Sequence, residues 1–142
     1  KKQCEIHDFI YEWCMKQRLA ILSKTEGPSP FHIFLSGGAG VGKSHTVHSI
    51  YQSATRILRF PSQNPDHPIV MLTASTGKAA INIDGVTVHS AFNINDRKTN
   101  KFPMTRNTLI QKQILYENLK IIVIDEISMV SSRLLLELHL ML

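Results

Sequence analysis

Eight consecutive residues constrain the chain more than any other feature: Gly37-Gly38-Ala39-Gly40-Val41-Gly42-Lys43-Ser44. They hold four of its seven glycines. A backbone this bare can wrap tightly and turn successive N–H groups towards one point. An apolar run, Phe31-His32-Ile33-Phe34-Leu35, precedes the turn and reads as a buried strand. A helical pattern follows from about Lys43 to Ile57, with Val47, Ile50, Ala54 and Ile57 on one face. Strand, glycine-rich turn and helix are the setting in which G-x-x-x-x-G-K-[ST] cradles nucleotide phosphates. The helix start at Lys43 adds the positive end of its dipole. Lys43 suits the β- and γ-phosphates, and the Ser44 hydroxyl suits Mg2+. The alternative, a glycine-rich turn without a ligand, leaves the lysine, the serine and both flanks unexplained.

The rest of the chain alternates. Glu5 to Leu22 reads as a helix, with Ile6, Phe9, Ile10 and Trp13 at helical spacing. Ser23 to Pro30 and Pro61 to Pro68 are proline-containing loops. Ile69 to Thr73 and Lys120 to Ile124 are strand candidates, and Thr76 to Ile83 and His89 to Phe92 short helices, with a turn at Gly85 between them. Asp96 to Arg106 is a polar excursion, Thr108 to Asn118 a helix, and another helix begins at Ser131. This order predicts a layered α/β fold around a parallel sheet. The three strand candidates are near-continuous apolar runs, as expected where both faces of a sheet are covered.

The last strand ends in two carboxylates, Asp125 and Glu126. Ligands of open parallel sheets bind at the carboxyl ends of the strands. Asp125 is suited to hold Mg2+ through its water shell, and Glu126 to take a proton from an attacking water. With the phosphate loop upstream, the pair points to hydrolysis of ATP or GTP with Mg2+. A phosphate-transferring kinase would need an acceptor site as well. A solvated acidic turn is the alternative for the pair taken alone.

Composition removes other classes. A chain of 142 residues suits one domain with a real core. No stretch approaches the ~18–20 apolar residues of a membrane helix, and Lys1 to Ile10 holds no signal-peptide core. The two cysteines, Cys4 and Cys14, have neither metal nor disulfide spacing, so a reducing, intracellular setting is expected. A net charge of +5 permits a polyanionic partner without demanding one. His45 and His48 are three apart, but no cysteine or carboxylate joins them, so a helix face is expected rather than a metal site. Trp13 is expected in the core of its helix rather than as a stacking platform. Lys98, Lys101 and Arg106 read as a solvated basic loop.

Between the two motifs lie Thr73-Ala74-Ser75-Thr76-Gly77-Lys78-Ala79-Ala80 and Gly85-Val86-Thr87-Val88-His89-Ser90-Ala91-Phe92. Together with Gly37–Ser44 and Asp125-Glu126-Ile127-Ser128-Met129-Val130, they resemble superfamily 1 DNA helicases of the PIF (petite integration frequency) type. The likeness is nearest to the PIF-like helicases of eukaryotes and Helitron transposons, with the bacterial RecD-type helicases next. Four motifs fall in family order over nearly the whole chain.

The resemblance implies a three-layer RecA-like P-loop domain with a mainly parallel sheet, incomplete at its C-terminus. It implies an ATP-dependent motor moving 5′ to 3′ along single-stranded DNA. Gly38, Ala39, Gly40, Val41, Gly42, Lys43, Ser44 and His45 would then bind ATP, with Ser44 and Asp125 on Mg2+ and Lys43, Asp125 and Glu126 in the chemistry. Thr76, Gly77 and Lys78 would lie along the DNA backbone and His89 would approach the strand. Lys78 as a solvated lysine and His89 as a structural histidine stay open, as does Phe92 under a base or in the core. Gln3 is the residue placed to read adenine, although the Leu-Asn that leads into that glutamine in the family is not present. The family's Gly-Asp-x-x-Gln motif, second RecA-like domain and arginine are not in the sequence either. Residues 1–142 are therefore expected to be the N-terminal part of a first motor domain, weakly active alone, whose partners are DNA and the remaining helicase domain. Repair, recombination, telomere maintenance and transposition all use such motors, in the nucleus or the mitochondrion. A RecD-like nuclease subunit and a non-catalytic ATP- or DNA-binding module are the alternatives.

Overall fold

A computed structural model describes residues 2–38, 40–94 and 106–141. The chain divides into two compact units, Lys1–Gln63 and Asn64–Leu142.

The first unit is a pair of helices, α1 (Lys2–Ser23) and α2 (Lys43–Leu58), packed on each other. Ile10, Cys14 and Ala20 of α1 are buried, as are Ile50, Ala54 and Ile57 of α2. The small residues among them let the two backbones approach. Burial pushes the Cys14 thiol up from 9.0 to about 11, because the thiolate would lose its water. Polar ties add to the packing. His7 Nε2 lies 3.1 Å from Ser53 Oγ. The Arg18 guanidinium donates to the carbonyls of Ile57 and Arg59 and sits 4.7 Å over the Phe60 ring. It thus satisfies carbonyls that the end of α2 leaves without helical partners.

Phe31–Leu35, expected as a strand, forms no ladder. A strand exists only in a pair, and α1 and α2 are the only regular elements described in this unit. Ile33 is exposed, and Phe34 is 75% exposed. The run is anchored at its start instead. The Phe31 ring meets Phe9 at 5.5 Å and Trp13 at 5.1 Å, both edge-on. Trp13 Nε1 donates to the Ser29 carbonyl at 2.9 Å. Phe9 and Trp13 therefore lie outside the buried face of α1 that their spacing predicted, Phe9 remaining half-exposed.

The second unit holds the sheet. Its elements are β1 (Val70–Ala74), α3 (Gly77–Asn82), β2 (Val86–Thr87), α4 (Val88–Phe92), α5 (Arg106–Leu115), β3 (Ile121–Asp125), a 3-10 turn (Ile127–Met129) and α6 (Ser132–Met141). The strand order is β2-β1-β3, all parallel. Every residue of the central β1 is buried. Its Thr73 is tolerated there because the hydroxyl donates to the Val123 carbonyl at 2.8 Å. Ala74 pairs with Thr87 on one side and Asp125 on the other, so the three strands end level. The third strand of the sheet is the two-residue β2, which the sequence pattern did not predict. Gly85 leads into it under constraint: a Cβ there would stand 2.4 Å from the Leu72 carbonyl oxygen.

The core gathers Met71, Val88, Ala91, Phe92, Leu134 and Leu138, flanked by Tyr116, Ile122 and Ile124. This settles Phe92: it is 2% exposed and packs in the core. No described helix is long and apolar enough to cross a membrane.

Candidate functional site

The glycine-rich turn reaches α2 through two left-handed residues, Gly40 (φ 75°) and Gly42 (φ 85°). Side chains rarely adopt that conformation, so both positions favour glycine. A Cβ built on Gly38 or Gly40 would meet nothing within 4 Å. Gly42 is also the N-cap of α2, and no side chain caps that helix start. First-turn N–H groups without a capping oxygen form an anion site. Lys43 Nζ folds over the turn and donates to the carbonyls of Gly37 and Gly38, at 2.8 Å each. Ser44 and His45 are exposed on the first turn. Gln3 reaches the same place from α1, its Nε2 donating to the Val41 carbonyl at 2.6 Å. Ala39 lies outside the described residues, as do Lys98 and Lys101.

In the second unit, Asp125 is the last residue of β3. One of its carboxylate oxygens accepts the Glu126 N–H at 3.0 Å. Glu126 adopts a left-handed conformation (φ 53°, ψ 45°), which turns the chain sharply and leaves this side chain exposed. The Ser75 N–H donates to the Asp125 carbonyl at 3.4 Å and carries the ladder one residue past β1. Ser75 Oγ is buried there without a hydrogen-bond partner among the described residues, an arrangement that a polar ligand would relieve.

Thr76 then caps α3, accepting the Ala79 N–H at 3.2 Å. Gly77 and Lys78 are exposed on its first turn. Thr87 caps α4 in the same way, accepting the Ser90 N–H at 3.2 Å. His89, half-buried, lies on that first turn. Three segments, Thr76–Lys78, Thr87–His89 and Asp125–Glu126, therefore leave the sheet at one carboxyl edge. That edge is where open parallel sheets take their ligands.

The candidates thus fall into two groups. Gln3, Lys43, Ser44 and the turn are together in the first unit, and the DNA candidates and the carboxylates are together in the second. The donor set of the turn fits a polyphosphate: backbone N–H groups, an ammonium and a hydroxyl, with no carboxylate in it. Among the described residues no three histidine, cysteine or carboxylate side chains gather to hold a metal, and this includes His45 and His48. Two features escaped the sequence pattern. The capping role of Thr87 was hidden because β2 before it is too short to show a period. Lys112 on α5 and Tyr116, the residue just past the end of that helix, both donate to the Ala91 carbonyl, a target that spacing cannot reveal.

The chain matches the PIF1-like helicase family over residues 16–142. It is 35% identical over 106 residues to ATP-dependent DNA helicase PIF4 of Trypanosoma brucei brucei, covering 71% of this chain and 12% of that protein. It is 34% identical over 124 residues to ATP-dependent DNA helicase Pif1 of a Psychrobacter species, covering 84% of this chain and 16% of that one. It is 35% identical over 106 residues to ATP-dependent DNA helicase PIF1 of Saccharomyces cerevisiae, covering 73% and 12% respectively. The chain thus spans only a small part of these relatives. No solved structure matches it.

Proposed function

The chain belongs to the PIF1-like helicase family, and from that premise we propose that residues 1–142 are the N-terminal part of the first motor domain of an ATP-dependent helicase that moves 5′ to 3′ on single-stranded DNA. The observation that carries the proposal is the shared carboxyl edge, at which the acidic pair and the segments Thr76–Lys78 and Thr87–His89 leave one sheet. The relatives, each named as an ATP-dependent DNA helicase, support it.

Backbone N–H groups from Gly38 to His45, with Ala39 among them, bind the phosphates of ATP. Lys43 exchanges the carbonyls of Gly37 and Gly38 for the β- and γ-phosphate oxygens. Gln3 reads adenine, and its bond to Val41 ties that reading to the turn. Ser44 and Asp125 would hold Mg2+, which supplies positive charge to the phosphate oxygens. Glu126 takes the proton of the attacking water. Thr76 keeps its O–H free to donate while it caps α3, so it is able to meet a DNA phosphate alongside Gly77 and Lys78. His89 approaches the strand from α4. A second motor domain in the remainder of the protein completes the cleft, and the protein works with DNA in the nucleus or the mitochondrion.

The test is ATP hydrolysis by the complete gene product, with and without single-stranded DNA, beside Lys43→Ala. Strong stimulation by DNA that disappears in Lys43→Ala is expected. Hydrolysis indifferent to DNA would remove the helicase reading and leave only an ATPase.

A further inference from the structure

The helix that carries His89 is five residues long, and a helix of that length has no stability of its own. Its first turn is held by the Thr87 cap. Its end is closed by Asn93 in a left-handed conformation (φ 55°), and the Ile94 N–H returns to the His89 carbonyl at 2.9 Å. The Ala91 carbonyl receives two donors, Lys112 of α5 and Tyr116 just past the end of that helix. Lys112 Nζ is 2.8 Å away and Tyr116 Oη is 2.5 Å away. The ammonium also stands 3.4 Å from the Tyr116 hydroxyl and 5.4 Å from the centre of its ring. The same ring packs 5.6 Å from Phe92, the next residue of α4. One carbonyl and the adjoining phenylalanine ring are thus engaged from the C-terminal end of α5 and the residue that follows it.

We infer that Lys112 and Tyr116 are positioning residues, a clamp on the C-terminal end of α4 that sets the direction in which His89 faces. The inference rests on the reading that His89 meets single-stranded DNA. Rotation of α4 about its axis would carry His89 off the carboxyl edge. Burial of Val88, Ala91 and Phe92 opposes that rotation from below, and the clamp opposes it from the side. A charge-assisted bond to a carbonyl at the negative end of a helix is among the stronger polar contacts available for this purpose. In a chain of net charge +5, a lysine near a DNA site would ordinarily be counted as a phosphate contact. The half-buried Lys112 is committed to protein oxygens instead.

The experiment uses the complete gene product with Lys112→Met, Lys112→Arg, Tyr116→Phe, His89→Ala and Lys78→Ala. It reads affinity for an oligothymidylate strand across a range of salt, ATP hydrolysis without DNA, and amide exchange over residues 88–94. Lys112→Met and Tyr116→Phe are each expected to weaken DNA binding about 3–10-fold. Hydrolysis without DNA and the salt dependence stay unchanged, Lys112→Arg recovers most of the loss, and the loss shrinks in a His89→Ala background. Exchange over α4 speeds up in both variants. A salt slope reduced by ~0.7 in Lys112→Met would make Lys112 a direct phosphate contact and overturn the clamp. Unchanged exchange over α4 would overturn it whatever DNA binding does. If His89→Ala and Lys78→Ala leave DNA binding intact while exchange still speeds up in Lys112→Met and Tyr116→Phe, the DNA reading fails and the clamp stands as a feature of the fold.

Discussion

A methyl group added to Gly85 would stand 2.4 Å from the Leu72 carbonyl oxygen, which belongs to the central strand and cannot yield. Gly85→Ala is therefore expected to cost about 1–3 kcal/mol, read as a lower urea midpoint at unchanged slope. Cys14 supports a prediction of a different kind. Its thiol titrates at about 11 when folded against 9.0 when free, so the fold favours the neutral form. The contribution is fully present below pH about 9 and is lost as pH rises towards about 11, by at most ~1.4 kcal/mol per pH unit. The difference between wild type and Cys14→Ala, followed by urea unfolding between about pH 8 and 11, isolates it, and an alkaline slope shared by both proteins would refute it. Residues whose chemistry is local were legible in the sequence: the glycines and Lys43 carry their geometry in eight positions. Lys112 was not, because its partner carbonyl lies 21 residues away along the chain.

At the scale of elements, the clearest dependence is that of α2 on α1. Arg18 holds the last carbonyls of α2 and stacks on Phe60. Arg18→Met keeps much of the apolar stem and removes the charge-assisted bonds. We expect a loss of about 1.5–3 kcal/mol in urea unfolding, with faster exchange at the C-terminal end of α2. An unchanged midpoint would show that those carbonyls are served equally well by water. The same scale shows where patterning misleads. Phe31–Leu35 has the composition of a strand, but strand formation depends on a partner that composition does not specify. β2 has the partner and almost no length, so periodicity could not announce it. The runs at Ile69–Thr73 and Lys120–Ile124 succeeded because each has the other as a partner, in a ladder from Val70 and Ile121 to Ala74 and Asp125.

For the whole molecule, the prediction concerns linkage between ligand and fold. If the turn at Gly37–Ser44 holds ATP, then nucleotide at 100 times its Kd stabilises the complete gene product by ~2.7 kcal/mol. A rise in melting temperature with ATP and Mg2+ that is lost in Lys43→Ala is the expected result, and an equal rise in both proteins would place the nucleotide elsewhere. The level ending of the three strands has a mechanical consequence as well. Thr87, Ala74 and Asp125 stand abreast, so Asp125 and Thr87 are two strand spacings apart, ~9.6 Å. No loop lies on that line to absorb a displacement. A force that drags Asp125 along its strand must either tear ladder bonds or carry β1 with it, and β1 is bonded in turn to the strand from which α4 starts. The sheet is a jointless crossbar, with the acidic pair at one end and the His89 helix at the other.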